Sequence, residues 1–323
     1  MNRLIRLGRP LLLAGSEEAL SQLDRGDWIG GTISYFMTPD GGRRSDAEVY
    51  VAELPADAVT CEARLYECSD LPSVCQNTPY DGYTLLILPF GGETHQRFAL
   101  GAPAYKDCFV SPVVGWVAGV PLESIGTRRA KVFLGREGRS SEDAAVAMHV
   151  VLPPEKAAEI DIFNIFRPGD GPAIRFPETG FSAKTAFVDE VETSFAEYYR
   201  AHGRSGAAPL TADYCGTIVN VSIQCVDEAS GEVQFYAPVF EKAVYRFAKP
   251  VADYSSTFAD ALRGEHADAG AFCCNCILNY LFGKLEAKHT GQLTGPMTFG
   301  EIAHQVLNQT LVRLRIVDRR QPG

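Results

Sequence analysis

Short apolar runs separated by Gly-, Pro- and Asp-rich breaks set the rhythm of this chain. Residues 83–90 (YTLLILPF) are almost continuously apolar, which predicts a strand buried on both faces. Residues 48–54 (EVYVAEL) alternate and predict a half-buried strand. Residues 28–37 (WIGGTISYFM) read as a strand opening on paired glycines, with Asp40-Gly41-Gly42 as the turn after it. Residues 109–119 and 130–134 follow as strands. A hairpin-like turn at Gly135-Arg136-Glu137-Gly138 leads into another over 144–152. Residues 1–25 predict a helix, on Leu11, Leu12, Leu13, Ala19, Leu20 and Leu23, with Ser16 as a candidate N-cap. The thiol-rich stretch 61–77 predicts a loop or short helix.

Residues 153–180 change character. Pro153, Pro154, Pro168, Pro172 and Pro177, with Gly169, Gly171 and Gly180, have the composition of a boundary. Beyond it, residues 185–202 predict a helix, because Phe187, Val188, Val191, Phe195, Tyr198 and Tyr199 recur near helical spacing. Strands are expected over 217–226 and 232–238, around an Ala229-Ser230-Gly231 turn, and over 243–247. A helix over 254–262, a segment 270–281 that begins as a strand, and a closing strand over 311–317 complete the reading. Each half mixes helices with hairpin-linked strands, which gives an α+β class with domains over 1–160 and 181–323 and a boundary over 161–180.

Composition narrows the partners. The chain has 323 residues, 46% hydrophobic and 22% charged, which are ordinary globular values. A formal net charge of −10 argues against nucleic acid or an anionic membrane as the main partner. Arg313, Arg315, Arg319 and Arg320 gather near the tail and are expected to be a solvated strand edge and terminus. No apolar run approaches the roughly 20 residues of a membrane span, and the opening residues lack a secretory core, so a cytoplasmic protein is expected. Nine cysteines, an odd count without framework spacing, are then expected as free thiols.

Residues 271–318 hold the densest chemistry. Cys273-Cys274-Asn275-Cys276 opens the stretch, a Thr298-Phe299-Gly300-Glu301 turn sits in the middle, and Asn308-Gln309-Thr310 precedes the last strand. This order resembles the C-terminal half of FIST proteins, a bacterial sensory family with FIST-N and FIST-C domains. The likeness extends upstream: Ile29-Gly30-Gly31-Thr32 resembles the early glycine turn of FIST-N. Residues 111–119, with Gly115 and Trp116, resemble its later Gly-rich strand, and residues 132–135 and 145–151 its final hairpin. Residues 231–238 and 244–248 resemble the strands that precede the helix and the Cys-containing strand of FIST-C. The resemblance implies a FIST-N/FIST-C α+β architecture and a non-enzymatic sensory protein that binds an amino-acid-like or other small molecule. It also implies signal transduction through a separate partner such as a histidine kinase or cyclic-nucleotide enzyme.

The expected cleft residues are Gly30, Gly31, Thr32, Gly115, Trp116, Cys274, Asn275, Cys276, Phe299, Gly300, Glu301, Asn308 and Thr310. Glu301 is the candidate to accept a ligand amine. On a strand Cys274 and Cys276 share a face opposite Cys273, so two thiols at most converge; core packing, a ligand-facing thiol and a metal site are the open readings. The FIST resemblance also raises non-covalent heme, with His95 or His304 as axial ligand, since no Cys-x-x-Cys-His attachment motif occurs. His149, inside an apolar strand, reads as a satisfied core residue. No cofactor is required by these motifs, and no Gly-x-Ser-x-Gly elbow, phosphate loop or His-Glu-x-x-His motif is present, so a thiol-dependent enzyme on Cys276 is the rival class.

Overall fold

The computed structural model describes residues 1–203, 207–214, 216–266, 271–289 and 291–319. Three copies of one strand pattern organise it. In the first, the buried strands Leu11–Gly15 and Trp28–Thr32 run parallel, joined through the helix Glu17–Ser21, and Val49–Glu53 lies antiparallel beside the first strand. In the second, Gly82–Pro89 and Val113–Ala118 are parallel around the helix Glu93–Gly101, with Ala145–Val151 antiparallel. In the third, Phe272–Cys276 and Gly295–Thr298 are parallel around the helix Ile277–Phe282, with Leu311–Asp318 antiparallel.

Each unit lends a strand to another. Tyr35–Thr38, from the first, pairs with Gly295–Thr298 of the third. Val132–Leu134, from the second, pairs with Trp28–Thr32 of the first. Glu301–Ala303, from the third, pairs with Val113–Ala118 of the second. The exchange closes a ring, and one continuous buried core runs from Leu12 to Leu314. Strands from 1–160 and from 181–323 therefore share two of the sheets, while the proposed boundary, 161–180, begins within Lys156–Phe163, itself paired to Leu311–Asp318.

Between Lys156–Phe163 and Phe272–Cys276 the chain carries two further sheets. One has six strands, running from Val191–Ser194 to Thr217–Val221 in sheet order; the other has three, Gly180–Ala183, Glu232–Val239 and Ile223–Asp227. The mixed α+β class holds. Several element assignments differ from the pattern reading. Leu11–Gly15 is a central strand, not helix: its five residues are all buried between neighbours on both sides, which outweighs the helical spacing of its leucines. Ser16 does cap a helix, its hydroxyl accepting from Ala19 N–H at 3.0 Å, but the short one over Glu17–Ser21. Residues 28–37 split at Thr32, with the two parts in different sheets. Residues 61–77 contribute the strand Thr60–Tyr66 as well as the helix Pro72–Gln76.

Residues 185–194 form a hairpin, Thr185–Val188 with Val191–Ser194, and only Phe195–His202 is helical. The tail arginines are not a free edge. Leu311–Asp318 lies inside its sheet, where Arg313 pairs with Asp161 and Glu265 at 2.8 Å each, and Arg315 with Asp161 at 2.7 Å and Glu159 at 3.0 Å. Arg320 and Gly270 lie outside the described residues, as does Cys215; the other cysteines are free of disulfides. No described helix is long and apolar enough to cross a membrane.

Candidate functional site

Parallel strands joined through helices open a crevice beyond their carboxyl ends, where backbone leaves the sheet. Here two such ends, Pro89-Phe90-Gly91 of the second unit and Cys276-Ile277 of the third, face the inserted three-stranded sheet. Phe90, Gln224 and Tyr236 border both parts of the resulting crevice. The larger lobe, about 300 Å³, is polar: His95, Gln96, Ser182, Gln224 and Gln234 join the rings of Phe90, Phe181 and Tyr236. The smaller, about 100 Å³, is apolar, with Leu122, Ile125, Ile277, Leu278 and Phe299 beside Cys276 and Asn308. Among the described residues no Asp, Glu, Lys or Arg lines either lobe.

Phe299 reaches its place through a missing side chain. A Cβ on Gly119 would stand 2.1 Å from Phe299 Cδ2, so only glycine admits the ring, which meets Phe90 edge-on at 5.0 Å. Below the apolar lobe lies a fully buried polar tie. Glu301 Oε2 accepts from Thr310 Oγ1 at 2.7 Å and Thr310 N–H at 3.3 Å, and Oε1 lies 3.3 Å from the Thr298 hydroxyl. The carboxyl thus joins the first residue of an exchanged strand to the ends of its neighbours. Burial pushes the Glu301 pKa up to about 8, against the pull of the Thr310, Cys276 and Thr298 hydrogen bonds. Burial, and then the neighbouring Glu301, hold the Cys276 thiol well above its ordinary range.

A second network pins the inserted sheets. Asn308 Oδ1 accepts from Ser222 Oγ at 2.6 Å and from Ser222 N–H at 3.2 Å, while its Nδ2 donates to Asn220 O at 3.0 Å. Gln309, at φ 51°, donates to Tyr254 Oη at 3.2 Å and also meets the Ser222 hydroxyl. Tyr254 Oη donates to Asn279 Oδ1 at 2.5 Å, and Asn279 Nδ2 donates to Asn275 Oδ1 at 2.7 Å. The strand that carries Gln224 over the crevice begins one residue after Ser222.

Of the residues expected to form the cleft, Cys276, Phe299 and Asn308 line it. Glu301, Thr310 and Asn275 lie buried in the polar networks beneath, so Glu301 has no open oxygen for a ligand amine. Gly300 links Phe299 to Glu301 at the turn. Gly30 and Gly31 are packing positions: a Cβ on Gly31 would stand 2.7 Å from Ile87 Cγ2, so its absence lets two sheets meet. Thr32 Oγ1 accepts from Lys131 N–H at 2.9 Å. Trp116 is fully buried with its ring centroid 5.4 Å from that of Phe272, and Cys274 donates its thiol to Gly115 O at 3.2 Å.

His95 and His304 lie toward opposite ends of Val113–Ala118: His304 N–H donates to Val113 O, while His95 follows the Phe90 turn beside Ala118. Among the described residues no group of three or more His, Cys, Asp and Glu side chains could hold a metal ion. His149 is satisfied by Tyr66 Oη at 2.6 Å and Thr84 Oγ1 at 2.7 Å. Gln224, Gln234, Tyr236 and Phe181 were missed by pattern reading, since their role comes from the insertion folding back over the second and third units.

The molecule is thus an α+β protein of three strand-exchanging units with a neutral, capped crevice. A family model described as a family of unknown function, DUF6976, matches residues 1–317, and the chain belongs to that family. No curated protein matches the chain.

Proposed function

We propose that this protein is a small-molecule-binding sensory protein, non-enzymatic, with the crevice between the inserted three-stranded sheet and the second and third units as its ligand site. The observation that carries the reading is the joint between the lobes. Phe90, Gln224 and Tyr236, from segments far apart in sequence, converge on a polar and an apolar chamber without any formal charge on their walls. Binding is favoured over turnover because Cys276, the nucleophile of the thiol-enzyme reading, is held in its unreactive protonated form by burial. The sequence likeness to FIST proteins supports a sensory role, with output through a separate signalling protein such as a histidine kinase or cyclic-nucleotide enzyme. An amino-acid-like ligand fits less well, since no wall residue pairs a free ammonium or carboxylate.

Native mass spectrometry of the protein purified from its own host tests the reading. Gln224 is exposed, so Gln224→Trp should fill the crevice without disturbing the core. We expect a bound small molecule on the wild type that this variant lacks. A ligand retained by the variant places binding elsewhere and defeats the proposal.

A further inference from the structure

We propose that the crevice selects an uncharged ligand bearing a carbonyl-type acceptor on a short apolar body, and that His95 Nε2–H reads the acceptor; this rests on the crevice being the ligand site. His95 lies on the helix Glu93–Gly101, 3% exposed, and borders the polar lobe. The N–H of Gly91 donates to its Nδ1 at 3.4 Å. Backbone N–H is a donor only, so Nδ1 holds the lone pair and the proton sits on Nε2. Burial pushes the imidazole pKa down to about 4, so the ring is neutral at pH 7 and keeps this tautomer.

Nε2 is buried and has no hydrogen-bond partner among the described residues. The rings of Phe90 and Phe181, centred 5.8 and 6.0 Å away, flank the imidazole and supply no acceptor. A buried donor left unmade costs about 1–3 kcal/mol, and a ligand acceptor recovers that cost on binding. The partner wanted is therefore an oxygen with an available lone pair.

Charge limits which oxygen. With no basic side chain on either lobe, a carboxylate would lose its hydration without a counter-ion. Gln224 and Gln234 offer further neutral hydrogen bonds in the polar lobe, while Leu122, Ile277 and Phe299 offer only apolar surface in the other. An amide, ester or ketone with a small hydrocarbon tail matches both chambers.

Titration calorimetry with 3-phenylpropanamide, propylbenzene and 3-phenylpropanoate tests this on the full-length protein. The amide should bind the wild type at least about tenfold more tightly than the carboxylate, the scale of one uncompensated charge or one buried hydrogen bond. His95→Phe should cost the amide about tenfold and leave propylbenzene unchanged, since only the amide uses the donor. Because a core histidine change could disturb folding, the wild-type imidazole is also followed by nitrogen-15 NMR. The amide, and not propylbenzene, should shift the Nε2–H signal. Amide binding that is blocked by Gln224→Trp but indifferent to His95, or no preference over the carboxylate, overturns this inference and leaves the crevice reading standing. If none of the three compounds binds the wild type, or Gln224→Trp blocks none, the crevice reading falls and this one with it.

Discussion

At the carboxyl end of the first unit, Ser16, Thr32, Ser34 and Gly119 close over about 20 Å³ of space, under a charged rim. Arg128 pairs with Glu18 at 2.5 Å, and Lys131 with Glu17 at 2.5 Å and Glu142 at 3.2 Å. At the matching ends of the second and third units no described charged side chain lines the crevice, which lies open beneath an inserted sheet, above a buried carboxyl that favours its protonated state. One strand pattern has thus been finished in two ways. Long, half-exposed charged side chains close the first end, while short neutral groups with fixed hydrogen bonds keep the other hollow. The difference shows that a strand-end crevice is a position the fold offers, and the local side chains decide whether it stays open.

The largest expected effect tests the buried carboxyl. Glu301 has its pKa raised from 4.5 to about 8, so the folded state binds a proton that the unfolded chain has released between those values. Stability from this group is present below pH 4.5 and lost as pH rises through 8, by about 5 kcal/mol over the window at roughly 1.4 kcal/mol per pKa unit. Glu301→Gln should remove that slope in denaturant unfolding measured across pH. Subtracting the two curves isolates the carboxyl from His95 and His149, whose pKa values, depressed to about 4, act in the opposite sense below pH 6.5. A difference that stays constant from pH 5 to 8 would mean an ordinary carboxylate, and the contrast with the charged rim would collapse.

Phe299→Ala should cost about 3 kcal/mol or more, as large aromatic truncations in cores do, and should enlarge the apolar lobe. A loss below about 1 kcal/mol would show the ring to be a loose wall, not a wedge seated against Gly119. Asn308→Ala removes the hydrogen bonds that hold Asn220 and Ser222, at an expected cost of about 1–3 kcal/mol. It should also weaken ligand binding by loosening the strand that carries Gln224. Unaltered affinity with lowered stability would mean that the lid does not depend on this stitch. The smallest effect belongs to the closed end. Arg128→Ala should cost under about 1 kcal/mol, fading with added salt, because its partners are exposed. A larger, salt-insensitive loss would show that the rim holds the first unit together.

Much of the secondary structure was legible, and the pairing was not. Gly82–Pro89, Ala145–Val151 and Leu311–Asp318 stand out as apolar or alternating runs because each is buried in a sheet. The hairpin at Thr185–Val188 was hidden for a definable reason. Its turn places Asp189 at φ 44° and Glu190 at φ 68°, a geometry usually marked by Asn-Gly or Asp-Gly. The polar tail residues fall into two buried networks, Glu301 with Thr310 and Asn308 with Ser222 and Asn220. Whether their atoms face a cavity or each other depends on an insertion whose return path leaves no local mark. In the sequence His95 stood out only as a candidate axial ligand; its unsatisfied nitrogen is a property of three dimensions.

The ring of exchanged strands has a consequence for synthesis. Tyr35–Thr38 is made long before its partner Gly295–Thr298. The first unit therefore cannot reach its final pairing until that later segment has been made, and an apolar strand with unpaired backbone must wait for it. Sequence-distant pairing of this kind slows folding and prolongs exposure to aggregation. Loss of residues 295–318 would strip a strand partner from each of the other two units, so a truncated chain should collapse as a whole instead of leaving an intact amino-terminal half.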